Sequence, residues 1–550
     1  MDFKTQASMG LSLLKQYGIR DFYYRFREWY EVRGRNRAYQ AHPEYYFPSH
    51  EELEAQREEQ WAYAPLVSIV VPTYETDETF LRQLLDSVLG QTYPYLELCL
   101  ADGSQTGKVE QVVRSYQDPR IVYRRLEQNG GISENTNCGF AMASGEYLAL
   151  LDHDDLLAAN ALYEMVKALN EVSPRPDMLY SDEDKMVGDS AAYCDPSFKP
   201  DYNEELLRRN NYICHFLLFS RKLLEEAGGL DSAYDGAQDH EFVLRCRKHG
   251  ARFHHIPKIL YHWRIHPSST AYDPGSKLYA YENGKKAILA YLRSQGVEAE
   301  VGLTKDLGVY QVSYLRNRRM RVAILSDKRD HAMALKASAG KSKGTEISCY
   351  DMPDISNQGI EGAEADFILL ARHWMVPKGG DWLERLLAFC QEGRVGAVSG
   401  SIQTPRRRII QNGMKVSREG KVSPLFEGLP EIYRGYCHRA DIPANVSTLT
   451  LDFVLLSKKA WEEAGKFTEG LSPTAQEVDF FARMRACGYE AVCDSGVKVI
   501  CHEGHRKGYG MEPGELERLK KKWGGQWLRG DLAYNPNFQE GDGRFVLRGK

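Results

Sequence analysis

Residues 216–228 of this chain align residue for residue with residues 453–465 at an offset of 237, both running from a phenylalanine to an Ala-Gly end. Shortly afterwards Gln238, Asp239, Phe242, Arg245 and Gly250 match Gln476, Glu477, Phe480, Arg483 and Gly488 at an offset of 238. A nearly constant offset across separated segments means that one fold occurs twice. The expected units are residues 63–315 and 320–505, with an N-terminal aromatic and basic helical region at 1–62 and a tail at 506–550. Within the first unit, short apolar runs at 67–71, 96–101, 121–125 and 147–151 alternate with amphipathic stretches at 80–89, 109–116, 133–143 and 160–170. That alternation predicts βαβ units, a mostly parallel sheet covered on both faces, and an α/β fold class. Ligands of such sheets bind where strands end and loops meet helices, so function is expected just after the strands.

Composition narrows the classes. The formal charge of −5 over 550 residues excludes a nucleic-acid polyelectrolyte, and no run of eighteen apolar residues predicts a membrane span. Eleven cysteines occur without a C-x-x-C pair, which suits reduced, packed thiols rather than a disulfide frame or zinc site. No signal-peptide pattern follows Met1, so a cytoplasmic protein is expected. Phe22, Tyr23, Tyr24, Phe26, Trp29 and Tyr30 stand among Arg20, Arg25, Arg27, Arg33, Arg35 and Arg37. Such a helix either packs on the body of the protein or lies on an anionic membrane, which would put residues 1–40 at the inner face of the plasma membrane. Lys520, Lys521, Lys522 and Trp523 admit the same two uses: a solvated helix end or a membrane contact.

Asp152, Asp154 and Asp155 directly follow an apolar strand. Carboxylates so close repel one another, and a divalent cation shared with phosphate oxygens relieves the repulsion; the plainer alternative is an acidic turn capping the helix near Asn160. Pro72, Thr73 and Tyr74 follow the first strand, Asp102, Gly103 and Ser104 the second, and Asn129, Gly130 and Gly131 precede a helix. An aromatic ring or carboxylate there can hold a nucleobase, and glycine-rich turns let backbone N–H groups approach phosphate.

In this order of motifs the chain resembles glycosyltransferase family 2, the inverting GT-A transferases of bacterial surface polysaccharide, including O-antigen and rhamnan-type enzymes. The resemblance runs through residues 67–104 and 129–155, Tyr180–Lys185, Gln238–Glu241 and Tyr261–Pro267, and extends more weakly through the second unit and the tail motif Gly530–Asn537. It implies a catalytic GT-A domain followed by a degenerate GT-A-like copy. It also implies a nucleotide-diphosphate sugar donor, a glycan or lipid-linked glycan acceptor, and Mg²⁺ or Mn²⁺. Carried over by motif, Tyr74 and Asp102 would hold the base, Asp152 the donor ribose, Asp154 the metal, and Asp239 would be the catalytic base. Pro72, Thr73 and Asn129 would line the donor site. His262, Arg264 and His266 would approach the diphosphate, with His262 as a further metal ligand beside Asp152 and Asp154, and Arg264 as a charge clamp. Asp182, Glu183 and Asp184 would orient acceptor hydroxyls, or form a charged loop. Two positions depart from the family pattern: Ala101 replaces an acid, and Glu75 an asparagine. The second unit has Arg372, His373 and Trp374 where the acidic cluster stood, while Glu477 occupies the place of Asp239. Competing readings are a non-catalytic glycan-binding or assembly subunit and a sugar nucleotidyltransferase.

Overall fold

A computed structural model of the chain describes residues 3–188, 192–266, 278–340, 344–352, 356–502, 508–527 and 530–548. Pro267, in the last motif of the first unit, lies outside them. The first sheet contains β1 (Val67–Thr73), β2 (Leu96–Asp102), β3 (Ile121–Arg125), β4 (Tyr147–Leu150), β5 (Leu156–Leu157), β6 (Met178–Val187), β7 (Tyr193–Ser197), β8 (Leu217–Ser220) and β9 (Phe253–Ile265). Its order is β3-β2-β1-β4-β8-β6-β9-β5, with β7 added to β6. Strands β1 to β4 pair in parallel, but β8 runs antiparallel to both β4 and β6, and β5 antiparallel to β9. The sheet is therefore mixed where a mostly parallel one was expected, because β8 enters from a loop rather than from a crossover helix.

The residues of β1, β2 and β4 are almost all buried, as strands with both faces covered must be. The helix Ile132–Met142 lies so close to β1 that a Cβ at Gly139 would sit 2.4 Å from Val70 Cγ1. The helix Glu78–Leu89, packed with Val67, Ile69 and Val71 on the opposite face, starts where Asp77 accepts the Thr79 and Phe80 N–H groups and buries Leu81, Leu84, Leu85 and Val88.

The second sheet repeats the first. Its strands run in the order Thr345–Asp351, Met320–Ser326, Phe367–Ala371, Phe453–Ser457, Val395–Gln403, Glu490–Cys501 and Met375–Pro377. This matches β2-β1-β4-β8-β6-β9-β5, and every pairing has the same sense. The protein is thus two α/β units of one topology in succession.

The two units share a core: Tyr39, Phe198 and Ile259 pack in one apolar cluster with Phe426, Tyr436, Phe538 and Phe545. Helix α1 (Phe3–Ala41) bridges them. Arg25 and Arg434 both bond Asp306 (2.9 and 2.7 Å), Glu31 accepts from Tyr433, and the buried Tyr39 hydroxyl donates to Asp184 (2.6 Å). No described helix is long and apolar enough to cross a membrane. In the helix Pro513–Trp527, Lys522 and Trp523 both bond Asp479 of the second unit, at 2.8 and 3.1 Å. The tail motif folds back onto the first unit: Asn535 Nδ2 donates to both oxygens of Asp182 (3.1 and 2.9 Å), and Asn537 to Asp182 and the Pro257 carbonyl.

Candidate active site

Three loops meet at the carboxyl ends of β1, β2 and β4. After β1, Thr73 is buried and donates to Asp102 Oδ1 (3.1 Å), while Pro72 is half-buried and Tyr74 is 45% exposed. Asp102 itself is wholly buried: its carboxylate also accepts the Ser104 N–H (3.0 Å) and the Tyr123 hydroxyl (2.6 Å). Expected to hold a base, it instead holds the two loops together. Glu75 does the same from the other side, accepting the Gln105 and Thr106 N–H groups and the Thr106 hydroxyl at 2.7–2.9 Å. Those bonds, the Thr106 hydroxyl first, hold its carboxyl below the usual range. Asn129 is exposed beside them, its Oδ1 accepting Gly131 N–H and Asn135 Nδ2.

The acidic loop after β4 points its three carboxylates to different partners. Asp155 is fully buried and accepts the Tyr261 hydroxyl (2.5 Å) and the Arg264 N–H (2.7 Å). Burial raises its carboxyl well above the ordinary value, and the charges of Asp154 and Asp152 add to that. Asp152 is partly exposed, its side chain at 42%, yet desolvation in the recess also raises it; His215 opposes, while Asp154 and Asp239 push further up. Asp154 goes the other way: burial works against its charge, but His153 and a 2.7 Å bond from His266 Nε2 hold its carboxyl low.

Ligand atoms of Asp152, Asp155 and His215 lie within 4.8 Å of one another. His215 stands 3.8 Å from Asp152 and stacks on Tyr261, ring centroids 4.5 Å apart. The segment that carries it is tied down by buried Lys199, which donates to the Ile213 and His215 carbonyls and pairs with Glu183 (2.9 Å). Two raised carboxylates and an imidazole form a donor set suited to a divalent cation, since each Asp155 oxygen keeps a second lone pair. Asp239 lies in the first turn of helix α3 (Gln238–Lys248), near enough for its charge to act on Asp152. Asn211 Nδ2 donates to its Oδ2 at 2.7 Å.

Several expected site residues fall elsewhere. Asp182 and Asp184 are fully buried and cannot touch an acceptor: Asp182 bonds His255 (2.9 Å) and the tail asparagines, and Asp184 bonds Tyr39 and His262. They sit on β6, in the middle of the sheet, where α1 and the tail cover them. Glu183 faces Lys199 and supports the His215 segment instead of an acceptor. His262 does not join Asp152 and Asp154; its Nδ1 is 2.6 Å from Asp184 and its ring stacks on Tyr193. Arg264 is buried, donates to the Asp154 and Gly188 carbonyls and lies over the Phe80 ring, so it shapes the acidic loop rather than reaching from it. Sequence reasoning missed His215 and Asn211. Their signal is a histidine and an amide just before the apolar β8, which an ordinary loop shares.

In the second unit the corresponding places are filled by side chains of its own. Asp327 accepts both the N–H and Nδ1 of His373 at 2.7 Å. Glu477 is fully buried and accepts the Thr450 hydroxyl (3.1 Å) and Leu451 N–H (2.9 Å).

Residues 68–228 match the model of a family described as "Glycosyl transferase family 2". Over 535 residues the chain is 30% identical to the uncharacterized protein y4gI of Sinorhizobium fredii, covering 88% of this chain and 58% of that one. It is 27% identical over 516 residues to the O-antigen biosynthesis protein RfbC of Myxococcus xanthus, covering 86% of this chain and 40% of that one. The chain thus spans less than two thirds of the length of these relatives. Among solved structures, S. aureus TarS 1–349 aligns with a TM-score of 0.33 and 19% identity, over 41% of this chain and 65% of that one.

Proposed function

Residues 68–228 are a glycosyl transferase family 2 domain, and on that premise we propose that the chain moves a sugar from a nucleoside-diphosphate donor to a hydroxyl of a glycan or lipid-linked glycan. The reaction inverts the anomeric centre and serves cell-surface polysaccharide synthesis. The observation that carries this reading is the meeting of Asp152, Asp155 and His215 at the carboxyl end of the sheet, with Asp239 near enough for its charge to act on Asp152.

In this reading the exposed Tyr74 ring packs on the nucleobase, in loops that Asp102 and Glu75 hold in place. Asp239 accepts the proton of the acceptor hydroxyl as its oxygen attacks the anomeric carbon. The bond to the diphosphate breaks, its electron pair leaves on the phosphate oxygen, and one displacement inverts the centre. Asp152, Asp155 and His215 would hold Mg²⁺ or Mn²⁺, with Asp154 alongside, and such an ion supplies neutralisation of the diphosphate charge. Catalysis belongs to the first unit, since the corresponding acids of the second are absent or bonded inward. In this reading α1, with Tyr23, Phe26 and Tyr30 exposed near its arginines, rests on anionic lipid at the inner face of the plasma membrane.

A panel of UDP-, GDP- and dTDP-sugars with Mn²⁺, assayed for nucleoside-diphosphate release, tests the reaction. Asp239→Asn should lower turnover at least about a thousandfold while nucleotide affinity stays within a few-fold, because a base acts in the transition state and not in donor binding. Release of pyrophosphate instead would show nucleotidyl transfer, and glycan binding without release of either would show a binding module.

A further inference from the structure

We infer that the second unit sets the position of Asp239, and that Asn211 is the positioning residue through which it acts; this rests on Asp239 being the base proposed above. The strut is helix α2 (Glu204–Leu207) with the turn that follows it, which lies between the two units.

On one side, three contacts fasten this strut to α3. Asn211 Nδ2 donates to Asp239 Oδ2 (2.7 Å), His240 Nε2 is 2.8 Å from the Leu207 carbonyl, and Arg247 Nε donates to Glu204 (3.1 Å). They grip the helix at its first turn, at the carboxylate itself and at the adjacent His240, and again near its end. Among the described residues Asn211 Oδ1 has no hydrogen-bond partner, so the bond to Asp239 is what orients this amide.

On the other side, the same segment is fastened to the second unit. Glu205 pairs with Arg394, and Arg208 makes two bonds to Glu392, at 2.5 and 2.8 Å. Asn203 and Asn445 exchange side-chain and backbone bonds at 2.9 and 3.0 Å, and Asn445 Oδ1 accepts the Glu205 N–H. Glu204, Glu205, Arg208 and Arg209 are all at most 3% exposed. A buried network of paired charges is a poor source of stability, because desolvation offsets attraction, but it admits few alternative geometries. With Oδ2 held by an amide donor, Asp239 keeps Oδ1 for the incoming hydroxyl. A base must be placed to within a fraction of an ångström, and here the placement is transmitted from Arg394 and Glu392 through α2 to Asn211.

The test uses the full chain and three readouts: kcat and KM for nucleoside-diphosphate release, Kd for UDP or GDP with Mn²⁺, and amide hydrogen exchange. Asn211→Leu should lower kcat about ten- to a hundredfold, with KM and Kd within about twofold, since misplacing a group by about 1 Å costs that much. Arg394→Met should lower kcat and speed exchange in α3 but not in β1 or β2. Should Arg394→Met fail to fold, Glu392→Gln keeps the shape of the junction and should lower kcat about threefold with the same exchange pattern. The double variant Asn211→Leu/Arg394→Met should be no slower than Asn211→Leu, because both act along one route. Multiplying losses, loss of nucleotide affinity together with kcat, or unchanged exchange in α3 would overturn the inference. Full turnover in Asp239→Asn would instead remove the base assignment, and the exchange data would still decide whether the second unit holds α3.

Discussion

Glu75 adopts a left-handed backbone conformation (φ 46°) just past the end of β1, and its carboxylate closes on the loop after β2. In the sequence it is only a departure from a family pattern; in the fold it spans the two loops that flank Tyr74. Glu75→Ala should therefore weaken UDP or GDP binding about tenfold, the worth of one or two charge-assisted hydrogen bonds, and calorimetry reads this directly. Its melting temperature should barely move, because the side chain is at the surface. Gly139→Ala makes the opposite prediction: the new methyl meets Val70 Cγ1 at 2.4 Å, so stability to urea should fall by about 1–3 kcal/mol, and Val70→Ala in that background should restore part of it. At this scale the places of Asp152, Asp154 and Asp155 just past a strand and of Asp239 in the first turn of a helix are legible, because an apolar run and an amphipathic run border them. Asp182 and Asp184 mislead because their partners, Tyr39, His255 and Asn535, are distant in the chain, and nothing near β6 announces that they are covered. Asn211 is illegible for the same reason, 28 residues from the carboxylate it holds.

Among the elements, α1 carries two sequence readings, of which the structure shows the packing on the body, and the membrane contact is a proposal. Its later turns pack on both units through Arg25, Glu31 and Tyr39, while Ile19, Tyr23, Phe26 and Tyr30 are 79, 59, 55 and 67% exposed. Spacings of four, three and four residues put these on a single helical face, and the exposed Arg33 and Arg37 continue it. Aromatic rings beside arginines suit the headgroup region of an anionic bilayer. The full chain should sediment with vesicles containing phosphatidylglycerol and not with phosphatidylcholine alone. Tyr23→Ser/Phe26→Ser/Tyr30→Ser should lower the partition about tenfold or more, and Arg33→Glu/Arg37→Glu should abolish its dependence on salt. Equal binding to both vesicle types, or none, would remove the membrane assignment. The main strands and helices of the first sheet were readable from apolar runs and amphipathic spacing. The two-residue β5, the edge strand β7 and the reversal at β8 were not, since each owes its pairing to neighbours and not to its own pattern.

For the whole molecule, the repeat offset announced two copies of one topology, but nothing in the sequence distinguished Glu204, Glu205, Arg208 and Arg209 from a solvated charged turn. Their burial at the junction makes the union of the units sensitive to acid. Burial opposes the charge of Glu204, yet Arg394, Arg208 and Arg247 outweigh it and hold the carboxyl down to about 2, against an ordinary 4.5; Glu205 is lowered in the same way by Arg394, Arg208 and Arg209. A carboxyl lowered by folding stabilises the native state fully above its unfolded value, and that contribution is lost as pH falls through 4.5 toward 2. Urea unfolding of the full chain should show a midpoint that is flat from pH 7 to 5 and falls steeply below about 4.5. Arg394→Met should be less stable at pH 7, because it leaves Glu490 without its cation and Glu205 with only Arg208 and Arg209, and its stability should fall less between pH 4.5 and 3. An acid slope identical in the two proteins would mean that the carboxylates responsible lie outside the junction.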